Sequence, residues 1–449
     1  MKKHFLLTTL PTNDLGLITR SLPIARRLKD NGHTITFSNP ARSPRKVIED
    51  AGFENVIPPH PFYELSGSSL SIQSIHRTAK SNEIKLKYGG SLQFYSQLLR
   101  SIPFRFAKHE PDVWDMDHAA AMTGMLNSNF IYSQCLAHMR VIEHTCPDVI
   151  IDFWNPFATI AAKKLEIPII TINQADAHPA SKGFIWWNEK PKHIPSCVPA
   201  VNKTLRKLKL ETVNKLEDLN VGDLTLIVGT PLTDPLPDGT NYEHIGPVIW
   251  EKEDQNLPEK IIHLSKDLPV IWLYSGNPKY ANKTSLFDSD IILDACIKIL
   301  KDVDVQVVLT TGHHPLPQSC LPLPSNFIHH PYVPGLKMAA RADLLIHHGG
   351  YGSCQTGLFT GTPSLIIPTF SERESNARRI AALGAGEFVL PTCQNKKRKI
   401  DLDELKHKLI QMLTTESYTQ KANDMQVHLQ QYGGAERAVQ LIEQFLAKH

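Results

Sequence analysis

No apolar stretch in these 449 residues approaches the roughly 20 that a membrane-crossing helix requires, so any membrane contact is expected to be peripheral. Cysteine is sparse. The seven residues (Cys135, Cys146, Cys197, Cys296, Cys320, Cys354, Cys393) are odd in number, scattered and without a Cys-x-x-Cys pair, which argues against a disulfide scaffold and for reduced thiols in a cytoplasm. Charge of one sign is also lacking: 48 basic and 45 acidic residues leave +3, no field that would demand nucleic acid. Only Lys396, Lys397, Arg398 and Lys399 form a basic run, read as a solvated loop or as a contact for an acidic ligand or membrane surface. The apolar residues after Met1-Lys2-Lys3 stop at Pro11, too soon for a secretion signal. A P-loop is missing, which removes support for kinase or ATPase chemistry, and no repeat or low-complexity tract is present.

With 41% apolar and 21% charged residues the chain is globular, and its length suits two large domains. Short apolar runs alternate with segments of helical periodicity, the pattern of an α/β protein with parallel sheets. The clearest N-terminal unit is a strand over 5–10, then a helix with Ile18, Leu22, Ala25 and Leu28 on one face, closed by Asn31-Gly32. Residues 149–152, 158–164 and 167–172 repeat that logic. Between them, 60–145 reads as inserted helices and loops, which often shape pockets. Weakly periodic, Pro- and charge-rich text marks a linker within 241–268. Strands are expected over 270–274, 305–309, 327–329, 344–346 and 364–367. The tail carries helices with stripes at Leu402, Leu405, Leu409, Met412 and at Ala438, Leu441, Phe445.

The chemistry concentrates at 343–353, Asp-Leu-Leu-Ile-His-His-Gly-Gly-Tyr-Gly-Ser, a buried strand turning through glycines into a helix. Free amides at a helix N-terminus, with the dipole behind them, favour an anion such as diphosphate. Gly349, Gly350 and Gly352 remove Cβ atoms that would hold phosphate oxygens away, and His348 and Ser353 can donate hydrogen bonds. After the next strand, 368–379 opens another helix on the same sheet edge, with Glu372 able to accept from sugar hydroxyls and Asn376 able to fix the loop.

Together these residues resemble the nucleotide-sugar signature of the family 1 glycosyltransferases. The resemblance is strong over 332–390 and weaker over most of the chain. It implies a GT-B fold, two Rossmann-like domains facing across a cleft, with acceptor in the N-domain (1–240) and donor in the C-domain (269–430), and 431–449 as a C-terminal helix placed to pack back on the N-domain. It also implies inversion at the anomeric carbon with neither metal nor cofactor, a UDP- or dTDP-sugar as co-substrate, and a small apolar or lipid-like acceptor. The donor-binding positions it implies are Tyr332, Val333, His348, Gly350, Gly352, Ser353, Glu372, Arg373, Asn376 and Gly276.

Three positions depart from the family pattern. Thr356 stands where Glu usually grips the ribose, which leaves room for a thymidine donor, and Arg373 replaces Gln beside Glu372. Leu17 occupies the place of the catalytic His, with Asp152 kept where the family's His-partnering carboxylate sits. Asp152 and Asp14 are therefore the candidate bases. The alternative is a non-catalytic nucleotide-sugar-binding partner of another transferase. An epimerase would need acid and base groups on both sides of the donor. The Asp-x-Asp pairs at 115–117, 288–290, 302–304 and 401–403 sit in turns, helix starts or before a strand, so they do not converge as a metal-dependent transferase requires. Adjacent histidines point apart on a strand and make poor zinc sites. Phe94, Tyr95, Trp154, Phe157, Trp186 and Trp187 are aromatic candidates for either the N-domain core or an acceptor pocket.

Overall fold

The computed structural model describes residues 2–13, 15–65, 72–108, 112–250, 255–276, 289–312, 314–394 and 397–448. Seven parallel strands form the first sheet: β1 (His4–Thr9), β2 (Thr34–Ser38), β3 (Glu54–Asn55), β4 (Val149–Phe153), β5 (Ile169–Asn173), β6 (Leu224–Val228) and β7 (Glu243–Gly246). Their spatial order is β3-β2-β1-β4-β5-β6-β7, so the winding reverses between β1 and β4. A second parallel sheet holds β8 (Val270–Tyr274), β9 (Gln306–Thr310), β10 (Phe327–His329), β11 (Leu344–His347), β12 (Ser364–Ile366) and β13 (Gly386–Phe388), ordered β10-β9-β8-β11-β12-β13 and reversing between β8 and β11. Each is a doubly wound α/β unit, and ligands of such sheets bind beyond the carboxyl ends of strands near that reversal.

Local sequence explains the elements well. β4 and β5 are buried along their whole length, as strands covered by helices on both faces must be. The helix Gly16–Asp30 buries Ile18, Leu22, Ala25 and Leu28, and Gly32 at φ 88° turns the chain into β2. Residues 60–145 are largely helical, the longest helix being Ser128–Thr145. Two expectations fail. Residues 243–246, placed in the linker, instead pair with β6 as an edge strand, because Ile245 is fully buried against the N-domain core. Leu402, placed on a core stripe, is exposed, and only Leu405, Leu409 and Met412 of that helix are buried. Of the basic run, Lys397–Lys399 is β15, paired antiparallel with β14 (Thr392–Gln394), and the Arg398 guanidinium donates to the Thr369 carbonyl. Lys396 lies outside the described residues.

The last helix, Ala435–Lys448, crosses back to the first sheet and inserts Ala438, Val439 and Ile442 among Phe5, Leu7, Ile18 and Leu22. Gly433 and Gly434 make the crossing possible: a Cβ on Gly434 would lie 2.4 Å from the Pro247 carbonyl oxygen. On the far side, Asn31 donates to Glu443 at 2.7 Å.

Candidate active site

β11 ends at His347, and the chain passes through His348 and Gly349 before the helix Tyr351–Thr360 begins after Gly350. The glycines divide their work. Gly349 has φ 86°, and a Cβ there would stand 2.8 Å from the Arg373 carbonyl oxygen; one on Gly350 would meet His348 Nε2 at 2.6 Å. These two let the loop pack on itself, a correction to the reading that all three make way for a ligand. Gly352 alone has nothing within 4 Å of where its Cβ would be, so open space lies at the first helical turn.

The His348 ring is buried beside Gly276, whose added Cβ would sit 3.0 Å away, and meets Tyr274 edge-on at 5.4 Å. Its Nδ1 has no hydrogen-bond partner among the described residues. Burial, then the nearby Arg373 guanidinium and His347, hold the imidazole well below its ordinary value, so the ring is neutral and one nitrogen can donate. The helix Ser371–Ala382 supports the loop from the side: Asn376 donates to the Gly349 carbonyl at 3.0 Å and to Glu372 Oε1 at 2.8 Å. Arg373 is buried with its guanidinium 3.4 Å from Thr369 Oγ1. Ser353 is half-buried on the first turn, and the Thr356 hydroxyl donates to the Gly352 carbonyl at 2.8 Å.

The structure thus brings together Gly276, His348, Gly350, Gly352, Ser353, Glu372, Arg373 and Asn376. Tyr332 follows β10, three strands from β11 along the same edge, and its carbonyl accepts from His330. The Val333 side chain is buried in the cluster with Met338 and Leu345, so only its main chain could meet a ligand. Asp14 lies outside the described residues. Asp152 is fully buried, taking the Thr8 hydroxyl at 2.5 Å, the Asn155 amide at 2.9 Å and the Thr159 hydroxyl at 3.5 Å. Burial pushes its carboxyl up to about 7, against those donors. With no exposed oxygen it cannot meet an acceptor hydroxyl directly, which corrects its assignment as a cleft-facing base. It shapes the turn after β4 instead. Leu17 packs half-buried against the N-domain core.

Sequence reasoning assigned no role to Tyr351, which stands between two glycines of the loop. Its ring lies in the N-domain core, its hydroxyl donates to the Val228 carbonyl at 2.9 Å and lies 2.8 Å from Asp234 Oδ2, and the Arg20 guanidinium sits 5.2 Å over its face. The neighbouring helix joins the domains as well. Arg379 pairs with the buried Asp176 at 2.5 Å, the Trp186 indole donates to Ser375 at 3.1 Å, and Ser371 exchanges hydrogen bonds with the Val113 main chain. An aromatic residue inside a glycine loop was the one available signal. Beside this contact, a cavity of about 890 Å³ in the N-domain is lined by Asp117, Asp176, His178, Trp186, Trp187 and Glu217 among others. Of the six aromatic candidates, Phe94, Tyr95, Trp154 and Phe157 pack in hydrophobic clusters, and only the two tryptophans line this cavity.

Residues 294–441 match the family described as erythromycin biosynthesis protein CIII-like, C-terminal domain. The chain is 35% identical over 308 residues to the NDP-glycosyltransferase YjiC of Bacillus licheniformis, covering 68% of this chain and 74% of that one. The chain belongs to the family 1 glycosyltransferases. A second relative, the uncharacterized UDP-glucosyltransferase YojK of Bacillus subtilis, is 29% identical over 224 residues, 49% of this chain and 51% of its own length. In fold, this family 1 glycosyltransferase superposes on the glycotransferase of kitacinnamycin with a TM-score of 0.66 at 18% identity, covering 99% of both chains, which shows the GT-B architecture.

Two measurements probe this site of the glycosyltransferase. Tyr351→Phe removes the hydroxyl that the Val228 carbonyl and Asp234 share, and should cost roughly 1–3 kcal/mol in denaturant unfolding; an unchanged midpoint would mean the contact carries no stability. Asp152 has its folded carboxyl raised from 3.8 to about 7, so the unfolded chain loses this proton first. The contribution of this group to stability is therefore greatest below about pH 4 and declines as pH rises to about 7. Asp152→Asn should flatten that decline relative to the wild type, and equal slopes would refute the assignment.

Proposed function

We propose that this chain transfers a sugar from a nucleoside diphosphate donor, held at the start of the helix Tyr351–Thr360, to a hydroxyl of a small molecule held by the N-domain. The observation that carries this reading is a helix N-terminus with open space at Gly352 beside a buried imidazole whose Nδ1 has no hydrogen-bond partner among the described residues. As the bond to the sugar breaks, negative charge grows on the departing diphosphate. Helix amides, their dipole, the His348 N–H and the Ser353 hydroxyl stabilise that charge without a metal. Glu372, held by Asn376, is positioned to accept from sugar hydroxyls, and Arg373 adds positive charge next to His348. Direct attack by the acceptor would invert the anomeric carbon. Because the Thr356 hydroxyl is turned to its own helix, no carboxylate grips the ribose, and uridine and thymidine donors should bind comparably.

Proton removal from the acceptor is assigned to Asp14 on sequence position, since Asp152 is sealed. Leu17 and that sealed carboxylate favour one second reading, a non-catalytic nucleotide-sugar-binding relative. A protein that binds donor but neither transfers nor hydrolyses the sugar would support it.

Calorimetric titration of uridine and thymidine diphosphates tests the main reading. His348→Ala should weaken both by roughly 1.5–3 kcal/mol, the worth of one hydrogen bond to a charged group. Unchanged affinity would remove the diphosphate site, and a strong uridine preference that survives Thr356→Ala would sink the donor inference. Sugar transfer should persist in EDTA, whereas loss restored by magnesium would contradict the mechanism.

A further inference from the structure

The helical insertion of the N-domain has an outer surface unlike the rest of the molecule. Ile72, Leu86, Leu92, Leu99, Phe104 and Phe106 are exposed by 53% to 87% within 35 residues. These are not leftovers of an incomplete core, because the inner faces of the same helices are already filled by Ile84, Tyr88, Phe94 and Leu98. On the helix Ser91–Ser101, Leu92 and Leu99 stand seven residues apart on one face, opposite Phe94 and Leu98. Leu86 likewise faces away from Ile84 and Tyr88 on the helix Asn82–Tyr88.

Charge accompanies the apolar side chains. Residues 72–108 hold seven Lys and Arg against one acid, Glu83, a net +6, while the whole chain carries only +3, so the remainder is net negative. Lys85, Arg100 and Arg105 flank the exposed apolar residues, are themselves exposed, and make no ion pair among the described residues.

We infer that this face is a peripheral docking surface for anionic lipid bilayers, with the leucines and phenylalanines entering the interface and the Lys and Arg side chains meeting the headgroups. Exposed apolar clusters of this kind mark interaction sites. Charge decides the occupant: even with Lys87 paired to Glu64, the segment keeps an excess of Lys and Arg, so a second copy would bring one positive surface against another, whereas an anionic bilayer complements it. The lysine- and arginine-containing run at 396–399 is no rival, since Arg398 turns inward to Thr369. The inference stands apart from the reading of the donor site and does not require turnover.

Co-sedimentation of the full chain with phosphatidylcholine vesicles, with and without phosphatidylserine, tests it. Binding should be at least about tenfold stronger with phosphatidylserine, and Lys85→Gln, Arg100→Gln and Arg105→Gln should each weaken it roughly fivefold. Leu92→Ser with Leu99→Ser should abolish it while thermal midpoint and diphosphate binding stay unchanged, which separates lost docking from lost folding. Equal binding to both vesicle types, no binding to either, variants that bind as the wild type does, or a solution dimer broken by the leucine changes would each overturn the proposal.

Discussion

One phenol organises this molecule. Tyr351 begins the helix that follows the glycine loop, yet its ring belongs to the hydrophobic core of the other domain and its hydroxyl bonds to the end of β6. A buried hydroxyl must find partners, and here both are on the far side of the domain boundary. The glycine loop of the second domain is therefore fixed by the first domain. Gly229 records the same constraint, since at φ 95° a Cβ there would stand 2.0 Å from Asp234 Oδ2 and 2.7 Å from the Tyr351 hydroxyl oxygen. At this point the packing around the Tyr351 hydroxyl is too close for any side chain on Gly229.

Buried charge around that contact is balanced rather than removed. Asp176 and Asp234 are both raised chiefly by burial, and Arg379 opposes the rise at each. The arginine comes from the second domain and the aspartates from the first, so separating the domains would leave uncompensated charge, the costly outcome for buried ion pairs. The C-terminal helix adds an apolar tie at another point, placing Ile442 in the first domain's core after the chain has already completed the second sheet. Its return packs Tyr432 against Gly246, where an added Cβ would lie 2.4 Å from Tyr432 Cβ.

Much of the fold and of the donor half of the site is legible in the sequence because both are local. Alternation of apolar runs with helical periodicity fixes parallel strands and crossover helices. A strand that turns through glycines into a helix marks a helix N-terminus with free amides. Spacing even places Glu372 and Asn376 one turn apart. In contrast, β7 has four residues and no pattern of its own, and it is a strand only because β6 offers it an open edge. The exposure of Leu402 is also invisible to periodicity, which marks a stripe without marking where its packing partner ends.

Sequence alone determined that two α/β units are present, that one carries a diphosphate-type loop of family 1 glycosyltransferase character, and that the expected histidine is replaced by Leu17. Tertiary structure decided which groups are reachable. It sealed Asp152 beneath Thr8 and Asn155, turned Thr356 back on its own helix, reserved two of three loop glycines for packing, and sent Tyr351 across the cleft. The reason is physical: Thr8 meets Asp152, and Tyr351 meets Val228, across more than a hundred positions, and which rotamer or glycine is used nearby depends on what packs against it, which no local run of side chains encodes.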